Sequence, residues 1–225
     1  VEVVLSGVVG STAYGLAHAD SDVDILGVFA APTQDLVGLR QPSDSVVTKD
    51  PDTTFHEARK FCRLVLNGNP SVTELLWLPD ELYMARTALG DELIGIRSAF
   101  LSATRVRSAY FGYAVSQFGR LRKRGNGTFS PDTAKRTAKH ARHMYRLLLQ
   151  GFELWSTGTV TVRLEDPGAA REFGEIVESG DIEYAEFTLV RFEGMYNSAT
   201  CALPEHPDES TIEDWLQRVR KHYYN

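Results

Sequence analysis

Gly10-Ser11, ten further residues, then Asp22-Val23-Asp24 is the stretch that decides how this chain reads. Before it, Val3 to Val9 is short and valine-rich and is closed by a Gly-Ser turn signal, which predicts a buried strand. A short helix is expected to follow, through about His18. Val23, Ile25, Val28 and Phe29 mark a second strand that Pro32 ends. On that strand both carboxylates would project from one face while Val23 turned into the core. Two carboxylates on one rigid face repel unless a cation lies between them, and hard oxygen ligands suit magnesium. Gly10 and Ser11, where strand becomes helix, can offer backbone N–H groups and a hydroxyl to phosphate oxygens.

Beyond this stretch, Ser45 to Thr48 and Thr53 to His56 read as strands joined at Lys49-Asp50-Pro51-Asp52, which completes a small mixed sheet. Helix is expected from Glu57, with Phe61, Leu64 and Val65 at helical spacing, as far as Asn67-Gly68-Asn69-Pro70. A further helix covers Ser71 to Trp77, and one long helical segment runs from Leu89 to about Arg122. After the Gly125-Asn126-Gly127 loop, Ser130-Pro131 opens another helix with an apolar stripe at Ala134, Ala138, Ala141, Tyr145, Leu148, Phe152 and Trp155, and Gly158 stops it. A short strand is expected at Val160 to Leu164. Helices follow near Ala169 to Glu178, Tyr184 to Ala199 and Thr211 to Tyr223, the last with a capping box of Ser210 and Glu213. The fold class is therefore α+β, a sheet domain over residues 1–95 and a mainly helical domain over 96–225 that closes a cleft.

At 225 residues and 43% hydrophobic the chain can bury a proper core. Cys62 and Cys201 lack metal-binding spacing, so neither a disulfide framework nor a zinc site is indicated. No apolar run approaches membrane-spanning length, and Val1 to Val9 is too short and lacks the basic start of a signal peptide, so a cytoplasmic protein without a membrane partner is expected. The net charge of -6 conceals a segregation: Arg97 to Arg146 holds twelve Lys+Arg and one acidic residue, Asp132. A basic block within an acidic protein is expected where a polyanion docks, the competing reading being a solvated helix face. Lys135, Lys139, Arg142 and Arg146 recur at four, three and four, with His143 at the edge of the stripe. Tyr110, Phe111, Tyr113 and Phe118 interleave with this block and read as core rather than as base-stacking platforms, and Trp77, Trp155 and Trp215 read as core as well.

The apolar strand, Gly10-Ser11 and Asp22-Val23-Asp24 together resemble the signature of the DNA polymerase β superfamily of nucleotidyltransferases. The wider stretch, Gly10 to Gly15 and Ser21-Asp22-Val23-Asp24-Ile25-Leu26-Gly27-Val28, is similar to the predicted nucleotidyltransferases associated with RNA ligases in RNA repair. Two later stretches share the resemblance, which spans roughly residues 3 to 165. One is Glu57-Ala58-Arg59-Lys60-Phe61 with Gly68-Asn69-Pro70 and Glu74-Leu75-Leu76-Trp77; the other is Lys139, His143 and Arg146 with Glu153-Leu154 and Thr157-Gly158. Here the first strand begins almost at Val1, without the preceding helix that many relatives carry.

The resemblance implies transfer of a nucleoside monophosphate from an NTP to an acceptor hydroxyl with two magnesium ions, or manganese in their place. Asp22 and Asp24 would hold the metals. A third carboxylate, assigned to Asp52 with Asp50 and Glu57 as rivals, would complete one metal site and act as base. Gly10 and Ser11 would steady the triphosphate, and Lys139, His143 and Arg146 would bind nucleotide phosphates. RNA, such as a tRNA 3′ end, is the expected acceptor. The rival readings are transfer to a protein or small-molecule hydroxyl, and a non-catalytic nucleotide- or RNA-binding module.

Overall fold

In the computed structural model, which describes residues 2–19, 21–39, 41–124 and 131–224, the first apolar run forms strand β1 (Glu2–Val9), with Val4 and Leu5 fully buried. Gly10 turns it into a single-turn helix, α1 (Gly10–Tyr14), which Gly15 ends in the left-handed conformation. Strand β2 (Asp24–Ala30) returns antiparallel to β1, pairing Val9 with Asp24 at one end and Glu2 with Ala30 at the other. After a short helix α2 (Thr33–Val37) come β3 (Ser45–Lys49) and β4 (Asp52–Glu57), joined through the cis Asp50–Pro51 peptide.

β4 pairs parallel with β2, and β5 (Tyr83–Arg86) adds antiparallel to the free side of β1, giving a five-stranded mixed sheet in the order β3-β4-β2-β1-β5. β5 is absent from the sequence expectations. With four residues beside Asp80 and Glu81 and Met84 exposed, it lacks a recognisable apolar run.

Helix α3 (Ala58–Leu66) buries Phe61, Cys62 and Val65, and the Glu57 carboxylate caps it by accepting the Arg59 N–H at 2.9 Å. The expected helix over Ser71 to Trp77 is a turn of α-helix, α4 (Pro70–Thr73), running into a 3-10 turn at Glu74–Trp77. The expected long helix from Leu89 divides into α5 (Ala88–Gly95), a 3-10 turn at Arg97–Phe100 and α6 (Ala103–Arg124). Both cysteines are free, and burial pushes the Cys62 thiol up to about 12.

The chain divides into two units, Val1–Ser102 with Pro204–Asn225, and Ala103–Leu203. The boundary thus lies seven residues beyond the expected 95, and the last helix, α10 (Glu209–His222), packs with the sheet unit rather than with the helical one. Specific bonds place it there: the Trp215 indole N–H donates to the Leu89 carbonyl at 2.9 Å, and Arg220 grips the Glu57 carboxylate at 2.6 and 3.0 Å. Its cap is Asp208, whose carboxylate accepts the Thr211 N–H at 3.1 Å; the Ser210–Glu213 box does not form. Hydrogen bonds from the Ser210 and Thr211 hydroxyls hold the Asp208 carboxyl down at about 2.

In the second unit α6 and α7 (Pro131–Thr157) run antiparallel: Gln117 meets His140 at 2.7 Å, and Tyr110 packs on Gly151, where a Cβ would strike its ring. Helices α8 (Pro167–Glu178) and α9 (Ile182–Ser198) cover the apolar stripe of α7, with Tyr145 stacked on Phe173 at 4.8 Å and Tyr196 edge-on to Phe152 and Trp155 at 5.4 and 5.3 Å. Residues 160–164 are not a strand. Val160, Val162 and Leu164 do alternate inward, but Gln150 Nε2 donates to the Thr161 and Val162 carbonyls, and Glu153 accepts the Thr161 N–H and hydroxyl. Side chains of α7 thus stand in for a strand partner. Ser130 and the Gly125-Asn126-Gly127 loop lie outside the described residues.

Candidate active site

The turn after β1 is built on a glycine that cannot be replaced without strain. Gly10 has φ +68°, a region that L side chains rarely adopt, and a Cβ placed on it would run into the Asp24 carboxylate, 3.1 Å from Cγ. The backbone of the turn and the side chain of Asp24 are thus in direct apposition, because Val9 and Asp24 are register partners.

A buried carboxylate holds the turn from behind. Glu74, 4% exposed, accepts the Tyr14 hydroxyl at 2.6 Å and the Gly10 N–H at 3.4 Å. A buried carboxylate must be hydrogen-bonded to persist, so these contacts fix α1 relative to the turn. No role for Glu74 is legible in the sequence. The available signal was an acid inside the apolar run Val72 to Trp77, which demands a polar partner but does not say where that partner lies.

Asp24 opens β2, while Asp22 and Val23 precede the strand. Val23 is 50% exposed and does not enter the core, and β2 from Leu26 to Ala30 is buried throughout, so the expected in-and-out alternation is not found. The approach to Asp22 is shaped by a local turn: the Ser21 N–H donates to the His18 carbonyl and the Ser21 hydroxyl accepts the His18 N–H, each at 2.9 Å. Asp22 is exposed at the end of this turn. Ser11 is half-buried, with its carbonyl accepting the Leu16 N–H at 2.9 Å.

Asp52 opens β4 as Asp24 opens β2. Ile25 pairs with Thr53, so the two aspartates stand at the same level of adjacent parallel strands, whose backbones lie about 4.8 Å apart. Among the described residues no three His, Cys, Asp or Glu side chains gather as a group able to hold a metal ion. Asp22, Asp24 and Asp52 are all carboxylates, a ligand type that suits a hard cation. Of the rivals to Asp52, Asp50 is exposed in the β3–β4 turn, and Glu57, at the other end of β4, is committed to Arg220 and to the cap of α3.

Lys139, His143 and Arg146 all lie on α7 in the second unit, in unlike surroundings. Lys139 is exposed. Arg146 is 1% exposed, donating to Gln150 Oε1 at 2.7 Å and to His143 Nδ1 at 3.1 Å. Burial, followed by the positive charges of Arg146 and its neighbours, pushes His143 down to about 3, so it is neutral at physiological pH. The inner part of the stripe is thus a buried polar network, and its outer part is free to meet solvent.

Surface cations concentrate at one end of the α6–α7 hairpin: Arg120, Arg122 and Lys123 near the end of α6, and Lys135, Arg136 and Lys139 near the start of α7, are all exposed. Tyr110 and Phe118 are buried and Phe111 packs on Tyr196, whereas Tyr113 is 46% exposed. Trp155 and Trp215 are core, and Trp77 carries the Arg97 guanidinium over its ring at 4.4 Å.

No helix among the described residues is long and apolar enough to cross a membrane. No curated protein matches the chain. A family profile described as RlaP, RNA repair pathway DNA polymerase beta family, matches residues 1–170.

Proposed function

Because the chain belongs to the RNA repair pathway DNA polymerase beta family, we propose that it transfers a nucleoside monophosphate from an NTP to a hydroxyl of an RNA acceptor, such as a tRNA 3′ end, at the edge formed by Gly10, Asp22, Asp24 and Asp52. The observation that carries this reading is the apposition of the Gly10 backbone to the Asp24 carboxylate. With no side chain at Gly10, a phosphate could approach the turn directly beside Asp24, the carboxylate that in this reading would hold metal.

In this reading Gly10 and the Ser11 hydroxyl hold the β- and γ-phosphates, and Glu74 and Tyr14 keep the turn from shifting. Asp22 and Asp24 would hold two magnesium ions, or manganese in their place, with Asp52 completing one site, and the metals would supply neutralisation of phosphate charge. The acceptor oxygen forms a bond to the α-phosphorus as the bond to the bridging oxygen breaks, and pyrophosphate leaves. Asp52 takes the hydroxyl proton on its carboxylate.

The basic end of the α6–α7 hairpin supports RNA as the acceptor, since a backbone polyanion needs several solvent-facing cations along a track. Of Lys139, His143 and Arg146, Lys139 is the one exposed to meet a phosphate. His143 and Arg146 serve by holding the helix face behind it.

Incubation with each α-labelled NTP and magnesium, with and without total RNA, tests this reading. Label is expected in RNA. Label appearing only in protein or in a small molecule would remove RNA as the acceptor, and no transfer from any NTP would remove the activity.

A further inference from the structure

Residues 1–96 contain six basic side chains against fourteen acidic ones, and three of the six, Arg59, Lys60 and Arg63, line a single cavity of about 410 Å³. It lies in the first unit, between α3 and Leu36, Gln41, Pro42 and Asp44, with the amides of Gln41 and Asn67 in its wall. Arg59 and Arg63 are one helical turn apart, so their guanidinium groups project from the same side of α3.

The two acids of the cavity are already neutralised. Glu57 is held by Arg220 at 2.6 and 3.0 Å and by the Arg59 N–H, and Asp44 by Lys60 at 2.9 Å. Arg59 and Arg63 are both exposed, and neither has an ion-pair partner among the described residues. Two unmatched guanidinium forks beside two amides, on a unit otherwise dominated by acids, are chemistry for an oxoanion. Each fork can meet two phosphate oxygens, and the neighbouring acids are too engaged to repel the ligand.

The cavity is distinct from the candidate active site. Glu57, in its wall, ends β4, whereas Asp52 begins it, five residues and roughly 16 Å away along the strand. A triphosphate held at Gly10 is therefore not what this cavity receives.

We propose that the α3 cavity is a phosphate-binding site, with Arg59 and Arg63 as its principal ligands, that takes a backbone phosphate of the RNA acceptor. The phosphate chemistry stands on the cavity alone, and the assignment to acceptor RNA rests on the reading given under Proposed function. Free inorganic phosphate offers the same oxygens, and the test separates the two sources.

The full chain, its Arg59→Gln/Arg63→Gln variant and the single Arg63→Gln variant are titrated with a short fluorescein-labelled single-stranded RNA and with inorganic phosphate. No NTP or divalent cation is present, so the result does not depend on whether Asp24 performs chemistry. RNA dissociation constants are expected to rise about tenfold or more in the double variant. The slope of log affinity against log salt is expected to fall by about 0.7, the share of one single-strand phosphate contact. Weakening of RNA binding supports the proposal in full. Weakening of phosphate binding alone keeps the site but overturns RNA as its ligand. Unchanged binding of both probes by either folded variant overturns the site.

Discussion

At Gly10 two constraints coincide: a φ of +68° and the Asp24 carboxylate packed where a side chain would begin. Gly10→Ala meets both, with a backbone cost of about 1–3 kcal/mol and displacement of the group proposed to bind metal. The variant should lose nearly all transfer activity and show a lowered urea midpoint, whereas Ser11→Ala, which removes one hydroxyl from a half-buried position, should keep its fold and lose far less activity. Equal and negligible effects would make this a structural turn with no phosphate role. At this scale the Gly10 turn after the first strand was legible because strand and turn are local in sequence, whereas Asp22, expected on the second strand, precedes it. Glu74 was not legible, because its bonds to Gly10 and Tyr14 span 64 and 60 residues and no periodicity encodes such a partner.

Two helices illustrate how a buried charge network sets the behaviour of an element. On α10, Arg220 neutralises a Glu57 side chain that is 4% exposed, so Arg220→Met leaves a buried carboxylate without its cation. A loss of about 3 kcal/mol is expected in urea unfolding of the first unit, followed through the fluorescence of Trp215; a loss under about 1 kcal/mol would mean that the pair is incidental. On α7, His143 is held at about 3 against an unfolded value near 6.5, so the unfolded chain takes up the proton first as pH falls. The stability from this group is complete above about pH 6.5 and drains as pH drops toward 3, a loss on the order of 1–2 kcal/mol by about pH 5. His143→Gln should flatten that part of the stability profile of the second unit. An unchanged profile would place the titration elsewhere. Element boundaries were legible to within two residues at α8 and α9. They misled at residues 160–164, where a true alternation of burial is served by Gln150 and Glu153 instead of a neighbouring strand, and at α10, where Asp208 lies nearer the chain entry than Ser210 and takes the cap.

Across the whole molecule the charge segregation seen in sequence survives as a surface feature, reduced by the members that fold inward. Arg146 is buried and Arg97 lies on Trp77, while Arg120, Arg122, Lys123, Lys135, Arg136 and Lys139 remain on the surface. Arg122→Glu with Lys123→Glu should weaken RNA binding about tenfold or more, and more at low salt than at high, with NTP affinity unchanged; salt-independent binding would remove the polyanion reading. The α+β class and the mixed sheet were legible from short strands followed by long helical periods. The return of α10 to the sheet unit was not, since an amphipathic pattern reveals that a face is buried but not against what. The central claim is that the carboxylates beside the Gly10 turn carry nucleotidyl transfer, and the most direct measurement is label transfer from α-labelled NTP to RNA by the unaltered chain, Asp22→Asn and Asp24→Asn. Both variants should keep the thermal midpoint of the parent, or slightly exceed it as like-charge repulsion is relieved, and lose transfer by at least about a thousandfold. Full activity in both folded variants would contradict the account.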